Sequence, residues 1–309
     1  MATTPDTPYR SVLFMPASNE RAVAKAGSLP ADTIVFDLED ALHETEQHRS
    51  GELLDVALQR DFDFRQVLVR INSLDTGLWK SDIDAVTAAV GKGGICHGLV
   101  VPKVESTESL QLLFDYLPDN KPMPVWIMIE TPIAVLNAAS LCGFGASICG
   151  VLIGTADLGK SLSLPGNIAT ADSAKTDLSG ASTPQIPRFG LVTALSQVVL
   201  AAKAFGLFVI DGVFMDFRDD EGLQQEATQG LQLGFDGKTL IHPSQIETTN
   251  RVFTPAAAEI DEARAMIAVW QEANESGHAV CSFKGRLVEE LHVQQAQARI
   301  NYYESITSR

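Results

Sequence analysis

Thr33-Ile34-Val35-Phe36-Asp37-Leu38-Glu39-Asp40 decides the fold. A β-branched threonine and three apolar residues run without alternation into a cluster of acids. A strand that is apolar on both faces belongs to a sheet covered on both sides, which implies parallel pairing with helices between strands. The same pattern recurs outward in both directions. Val12-Leu13-Phe14-Met15 stops at Pro16, Val67-Leu68-Val69 reaches Arg70 and Asn72, and Leu99-Val100-Val101 reaches Lys103 and Glu105. Val125-Trp126-Ile127-Met128-Ile129 ends at Glu130, and Val151-Leu152-Ile153 at Asp157. Phe208-Val209-Ile210 ends at Asp211, and Thr239-Leu240-Ile241 at His242. Eight runs separated by helix-length segments predict an α/β fold, a (β/α)8 TIM barrel whose strand ends face the active site.

The connecting segments fit that expectation. Residues 44–59 and 79–90 have helical composition, and Ser106 is placed to cap a helix with Ser109 at its third position. Thr131-Pro132 opens the helix after the fifth strand, with proline in the first turn. Residues 160–187 are too long and irregular for an ordinary connection and read as a binding loop. Helix resumes over 189–205. The barrel is assigned to residues 10–253, after a disordered arm over 1–9. A helical extension follows over 254–309, with a long helix over 256–275, a turn at Lys284-Gly285-Arg286 and a last helix from about Glu290.

With 309 residues and 45% apolar content, the chain can bury a large core. No apolar run reaches the ~18 residues of a membrane span, and the N-terminal segment lacks the pattern of a secretory signal. Cys96, Cys142, Cys149 and Cys281 form neither a CxxC pair nor a dense framework, which points to cytoplasmic thiols. A net charge of −16 argues against a general nucleic-acid partner, whose recognition rests on phosphate neutralisation. A small anionic ligand in a local basic pocket is compatible with it.

Each polar strand ending carries two readings. Glu130 and Asp157 end neighbouring strands and either hold a hard cation, since magnesium takes one or two protein carboxylates, or cap the following helices. Arg70 is a clamp for a carboxylate or a developing enolate oxygen, an ion-pair partner of Asp37 or Glu39, or both. Asp37, Glu39 and Asp40 are costly together without a cation or an arginine. His242 is a general base or a structural histidine. Lys103 forms a Schiff base or a salt bridge with a neighbouring acid, and Lys238 reaches the barrel interior or a phosphate.

Read together, these segments resemble the citrate lyase β-subunit-like group of CoA-ester lyases, within the HpcH/HpaI aldolase superfamily. The segments are Arg10-Ser11-Val12-Leu13-Phe14-Met15-Pro16, Phe36-Asp37-Leu38-Glu39-Asp40, Val69-Arg70-Ile71-Asn72, Pro102-Lys103-Val104-Glu105, Ile129-Glu130-Thr131-Pro132 and Ile153-Gly154-Thr155-Ala156-Asp157-Leu158. Ile210-Asp211-Gly212 and Gly234-Phe235-Asp236-Gly237-Lys238 through His242-Pro243 follow in family order. The resemblance, which runs from Arg10 to about Arg299, implies a lyase that cleaves a short β-hydroxyacyl-CoA of the malyl or citramalyl type. It implies Mg2+ (or Mn2+) on Glu130 and Asp157, with CoA as part of the substrate. The small-acid carboxylate would meet the backbone near Thr155 and Ala156, and Arg70 would stabilise the enolate. Asp37, Glu39, Asp40, Lys103 and Glu105 would support the site from behind.

The family also places an acid from the C-terminal extension in a neighbouring subunit's site, which implies a homo-oligomer, a trimer or a multiple of three. Here Gly285-Arg286-Leu287-Val288-Glu289 puts glutamate where aspartate is usual, one methylene longer, and a shift of about 1 Å can cost roughly 100-fold where geometry is tuned. Ala17 likewise stands where the family has glycine. Thioester hydrolysis in the same pocket, with Glu289 activating water, is the alternative. A non-catalytic or carrier-dependent citrate-lyase-like subunit is a third reading.

Overall fold

A computed structural model describes residues 8–40, 50–63, 65–118, 123–164 and 188–308. Eight parallel strands close a barrel in sequence order: β1 (Ser11–Pro16), β2 (Thr33–Asp37), β3 (Gln66–Arg70), β4 (Gly98–Val101), β5 (Val125–Ile129), β6 (Ile148–Ile153), β7 (Phe208–Asp211) and β8 (Gly237–Leu240). β8 returns to β1 through Ser11 opposite Lys238.

The strands are apolar on both faces because each face has its own core. Val35, Leu68, Val100, Trp126, Leu152 and Ile210 point into the barrel. Ile34, Phe36, Val67, Val69, Leu99, Ile127 and Val151 point outward and pack with the helices. At the N-terminal end of the strands, Tyr9 lies against Trp126 and Phe208, with ring centroids 4.9 and 4.8 Å away, and these rings plug the barrel. Gly150 is required there, since a Cβ would sit 2.2 Å from the Trp126 ring.

The helices of the barrel unit are α1 (Glu20–Ala26), α2 (Ser50–Leu58), α3 (Trp79–Gly91), α4 (Thr107–Tyr116), α5 (Pro132–Leu136), α6 (Ala138–Cys142), α7 (Thr155–Ser161), α8 (Val192–Ala204), α9 (Asp220–Leu233) and α10 (Ile246–Phe253). Ser106 caps α4 by accepting from the Ser109 N–H, and Thr131 caps α5 by accepting from Ala134. The helix expected over 44–59 is seen as α2, and residues 44–49 lie outside the described residues. Of the predicted binding loop, residues 165–187 lie outside them too, as do residues 1–7 of the N-terminal arm.

The chain divides into two compact units, Tyr9–Phe253 being the barrel. From Thr254 onward the other unit holds α11 (Ala257–Glu275), a hairpin of β9 (Cys281–Phe283) and β10 (Arg286–Val288), and α12 (Glu290–Thr307). It buries Ile260, Ala263, Ala296 and Ile300 between its two helices. Lys284 and Gly285 turn the hairpin with φ of 49° and 76°. No helix among the described residues is long and apolar enough to cross a membrane.

Candidate active site

Asp37 and Arg70 are register partners at the ends of β2 and β3, so their side chains leave the sheet on the same side. The result is a two-point ion pair, Arg70 Nε to Asp37 Oδ1 at 2.6 Å and Nη2 to Oδ2 at 2.7 Å. Arg70 Nη1 lies 3.1 Å from Glu39 Oε2, and Nη2 donates to Asp40 Oδ2 at 3.0 Å. The Phe14 ring lies under the guanidinium, 5.0 Å from Cζ. Burial alone would lower the Arg70 pKa. The hydrogen bonds and charge of Asp37, then Glu39 and Asp40, override it and drive the pKa well above the usual arginine range. Arg70 is therefore both pocket residue and ion-pair partner.

Lys103 joins this cluster to the next strand. Its Nζ donates to Glu39 Oε1 at 2.7 Å, and its own N–H donates to Glu130 Oε1 at 2.7 Å. The second bond depends on φ of 52° at Lys103, a left-handed conformation that non-glycine residues adopt at a cost. The salt bridge, rather than a Schiff-base setting, is what the geometry displays. Glu105 is exposed, and its backbone carbonyl accepts from Asn137.

Glu130 follows β5 and is 2% exposed. Gly154 follows β6 and packs directly on it: a Cβ there would come within 2.5 Å of Glu130 Oε2. The chain then enters α7 with Thr155 buried, Ala156 exposed and Asp157 half-buried in the first turn. Burial, the charge of Glu39 and, less strongly, that of Asp157 push the Glu130 carboxyl up to about 7, against the N–H of Lys103. Burial also raises Glu39, against the pull of Arg70.

These groups share a cavity of about 460 Å³, a size suited to a small-molecule site. Asp37, Asp40, Arg70, Glu130, Thr155, Ala156 and Asp157 all line it. The rest of its wall is Phe14, Met15, Pro16, Met128, Ile153, Gly154, Val213, Met215, Thr239 and Ile241. Reading only polar strand endings missed that largely apolar wall, which was written in the residues beside those endings. His242 is exposed and is not among the residues lining the cavity; it stacks 4.5 Å from Phe217 with Nδ1 2.8 Å from Ser244 Oγ. Lys238 is fully buried between Asp211 and Glu226.

Charge makes the pocket selective. Five carboxyl groups (Asp37, Glu39, Asp40, Glu130, Asp157) stand around two cations, Arg70 and Lys103. The excess gathers at Glu130 and Asp157, and a divalent cation would neutralise it. Among the described residues no three His, Cys, Asp or Glu side chains are grouped to hold a metal. Glu130 and Asp157, side by side in one cavity, suit an ion such as Mg2+, which takes one or two protein carboxylates and completes its octahedron with substrate oxygens and water. Glu289 belongs to the other unit. It is exposed at the start of α12, where its N–H donates to His292 Nδ1 at 3.1 Å.

Comparison with known proteins adds an independent line. The family model described as HpcH/HpaI aldolase/citrate lyase matches residues 10–243. A (3S)-malyl-CoA thioesterase of Cereibacter sphaeroides is 38% identical over 97% of this chain and 96% of its own length. The citrate lyase subunit beta of Leuconostoc mesenteroides subsp. cremoris is 33% identical over 93% and 91%. Among solved structures, the protein CitE from Mycobacterium tuberculosis, in complex with magnesium, acetoacetate and coenzyme A, superposes with a TM-score of 0.73. It is 26% identical, over 97% of this chain and 99% of that one.

Proposed function

Because the chain belongs to the HpcH/HpaI aldolase/citrate lyase family, we propose that it is a CoA-ester lyase. Its reaction is the Mg2+-dependent cleavage of a short β-hydroxyacyl-CoA, malyl or citramalyl, to acetyl-CoA and a small oxo acid. The observation that carries this reading is the convergence of Glu130 and Asp157 beside Arg70 in one cavity. Glu130 and Asp157 would hold the metal, with Mn2+ as a substitute. When bound, it would act as a Lewis acid toward the small-acid half and offset the local negative charge.

The protein's own groups do the rest. The turn at Thr155 and Ala156 receives the small-acid carboxylate through its backbone N–H groups. Arg70, held rigid by Asp37 and Glu39, stabilises the thioester enolate that forms as the C–C bond breaks, a preorganised electrostatic role. Lys103 fixes Glu130 through its N–H and tethers Glu39, while Glu105 stands behind. A base takes the β-hydroxyl proton as the C–C bond breaks and the oxo acid forms, and Glu289 from a neighbouring copy delivers the proton that turns the enolate into the acetyl methyl group. This makes the working enzyme a homo-oligomer, a trimer or a multiple of one, and the thiols suit a cytoplasmic setting.

A second reading is thioester hydrolysis in the same pocket, favoured by the name of the malyl-CoA thioesterase relative. There Glu289 would activate water. Purified protein with Mg2+ and either malyl-CoA or citramalyl-CoA, followed by mass spectrometry, separates the two. Acetyl-CoA with glyoxylate or pyruvate supports the lyase. Free CoA with intact malate or citramalate supports the thioesterase, and turnover of neither substrate overturns both.

A further inference from the structure

Beneath β7 and β8 lies a second charged cluster that the proposed chemistry does not use. Arg188, Asp211, Glu226 and Lys238 are each 0% exposed. Arg188 Nη1 donates to Asp211 Oδ1 at 2.7 Å, Nε to Gln229 Oε1 at 3.0 Å and Nη2 to the Glu226 carbonyl at 3.3 Å. Lys238 Nζ meets Glu226 Oε1 at 2.7 Å and Asp211 Oδ2 at 3.2 Å. Two cations and two carboxylates balance. Arg188 reaches them from a left-handed backbone (φ 50°) directly after residues 165–187.

Four sealed charges are a poor device for stability, since apolar replacements of such networks are often neutral or better. What this network does deliver is the position of one residue. The Gly212 N–H donates to Asp211 Oδ1 at 2.8 Å, and its carbonyl accepts from Lys238 Nζ at 2.6 Å. Both peptide groups of Gly212 are thus held by the quartet. Gly212 in turn abuts the pocket, because a Cβ there would fall 2.1 Å from Thr155 Oγ1. The turn Gly154-Thr155 is therefore wedged between Glu130 on one side and Gly212 on the other.

We infer that Arg188, Asp211, Glu226 and Lys238 are positioning residues: through Gly212 they set the β6–α7 turn that carries Thr155, Ala156 and Asp157. The role of that turn toward the small-acid half rests on the proposed function; the mechanical coupling does not. In the charge-balanced double variant Asp211→Asn with Lys238→Met, KM for the oxo acid (assayed in the condensation direction) and for Mg2+ rises about tenfold. KM for acetyl-CoA stays within twofold. Gly212→Ala leaves the quartet whole and pushes directly on Thr155, and it gives the same split.

Hydrogen exchange over residues 152–164, read by mass spectrometry on the wild type and both variants, needs no substrate. Faster exchange of α7 amides such as that of Leu158, which bonds Gly154 O at 3.0 Å, supports the coupling even if the enzyme turns over some other compound. Unchanged exchange in that segment overturns it. So does a uniform fall in kcat with every KM unchanged, the signature of lost active protein. If the double variant does not fold, the balanced pair Arg188→Met with Glu226→Gln, which also breaks the quartet, decides on the same readouts.

Discussion

Among the described residues of the barrel, the arginine–carboxylate clusters around Arg70 and Arg188 differ in a way that separates reactivity from architecture. Arg70 opens onto the cavity, is shared by three acids, and leaves Glu130 and Asp157 without a cation of their own. Arg188 is sealed, pairs two acids with two cations, and opens nowhere. Both clusters contribute hydrogen bonds of similar length. The open one holds a charge imbalance that a ligand can relieve, whereas the sealed one converts balanced charge into fixed geometry. Number of ion pairs does not tell them apart; charge surplus and access do.

The sharpest way to break this contrast is at Glu130. Glu130→Ala should remove metal-dependent turnover by about 10³-fold or more, measured as acetyl-CoA release across a Mg2+ titration. Unchanged activity and metal affinity would remove Glu130 from the site. Arg70→Met should lower kcat by about 10²–10³-fold and cost about 3–5 kcal/mol in urea unfolding, because Asp37 and Glu39 stay buried without their partner. Arg188→Met alone should cost a similar amount of stability. The balanced pair Arg188→Met with Glu226→Gln should cost far less, and equal losses would undo the distinction between charge balance and charge surplus.

Glu130 also predicts a pH dependence. Its carboxyl is raised from 4.5 to about 7 in the folded chain. Between those values the native state binds more protons than the unfolded state, so stability falls as pH rises. The contribution is fully present below 4.5 and lost above about 7, at about 3 kcal/mol in metal-free protein. Unfolding at pH 4.5, 6 and 7.5 should show this slope, Glu130→Gln should flatten it, and Mg2+ affinity should rise through the same window. The smallest effect is expected at Lys103. Glycine accepts its positive φ and keeps the N–H to Glu130, while the half-exposed bond to Glu39 is weak. Lys103→Gly should therefore shift stability by less than about 1 kcal/mol and preserve metal affinity by calorimetry.

Much of the open cluster could be read from the sequence, because barrel strands end in the residues that face the pocket. Asp37, Arg70, Lys103, Glu130 and Asp157 each follow a run of apolar residues. Asp211 stood out by the same rule, and Lys238 as a cation after a glycine at the head of the last run, yet their partners did not. Glu226 sits within α9 among Gln, Glu and Thr, where a buried acid has the same one-dimensional signature as a solvated one. Arg188 follows the irregular stretch to Pro187 and gives no periodic signal. The positive φ of Lys103 was equally invisible, since nothing in Pro102-Lys103-Val104 marks a left-handed residue. Gly154 and Gly212 look like ordinary turn glycines. Only their contacts reveal that each makes room for a specific side chain.

The aromatic plug of Tyr9, Trp126 and Phe208 fills the barrel at the N-terminal end of its strands, away from the cavity at the strand ends. In a vessel open at one end, two fragments cut from one molecule must depart in sequence, and the one seated deeper leaves last. If the proposed lyase grips the oxo acid at Glu130, steady-state product inhibition should be competitive for the oxo acid against the acyl-CoA and mixed for acetyl-CoA. A stack of rings at the opposite end of the strands would then set the order of traffic through this barrel.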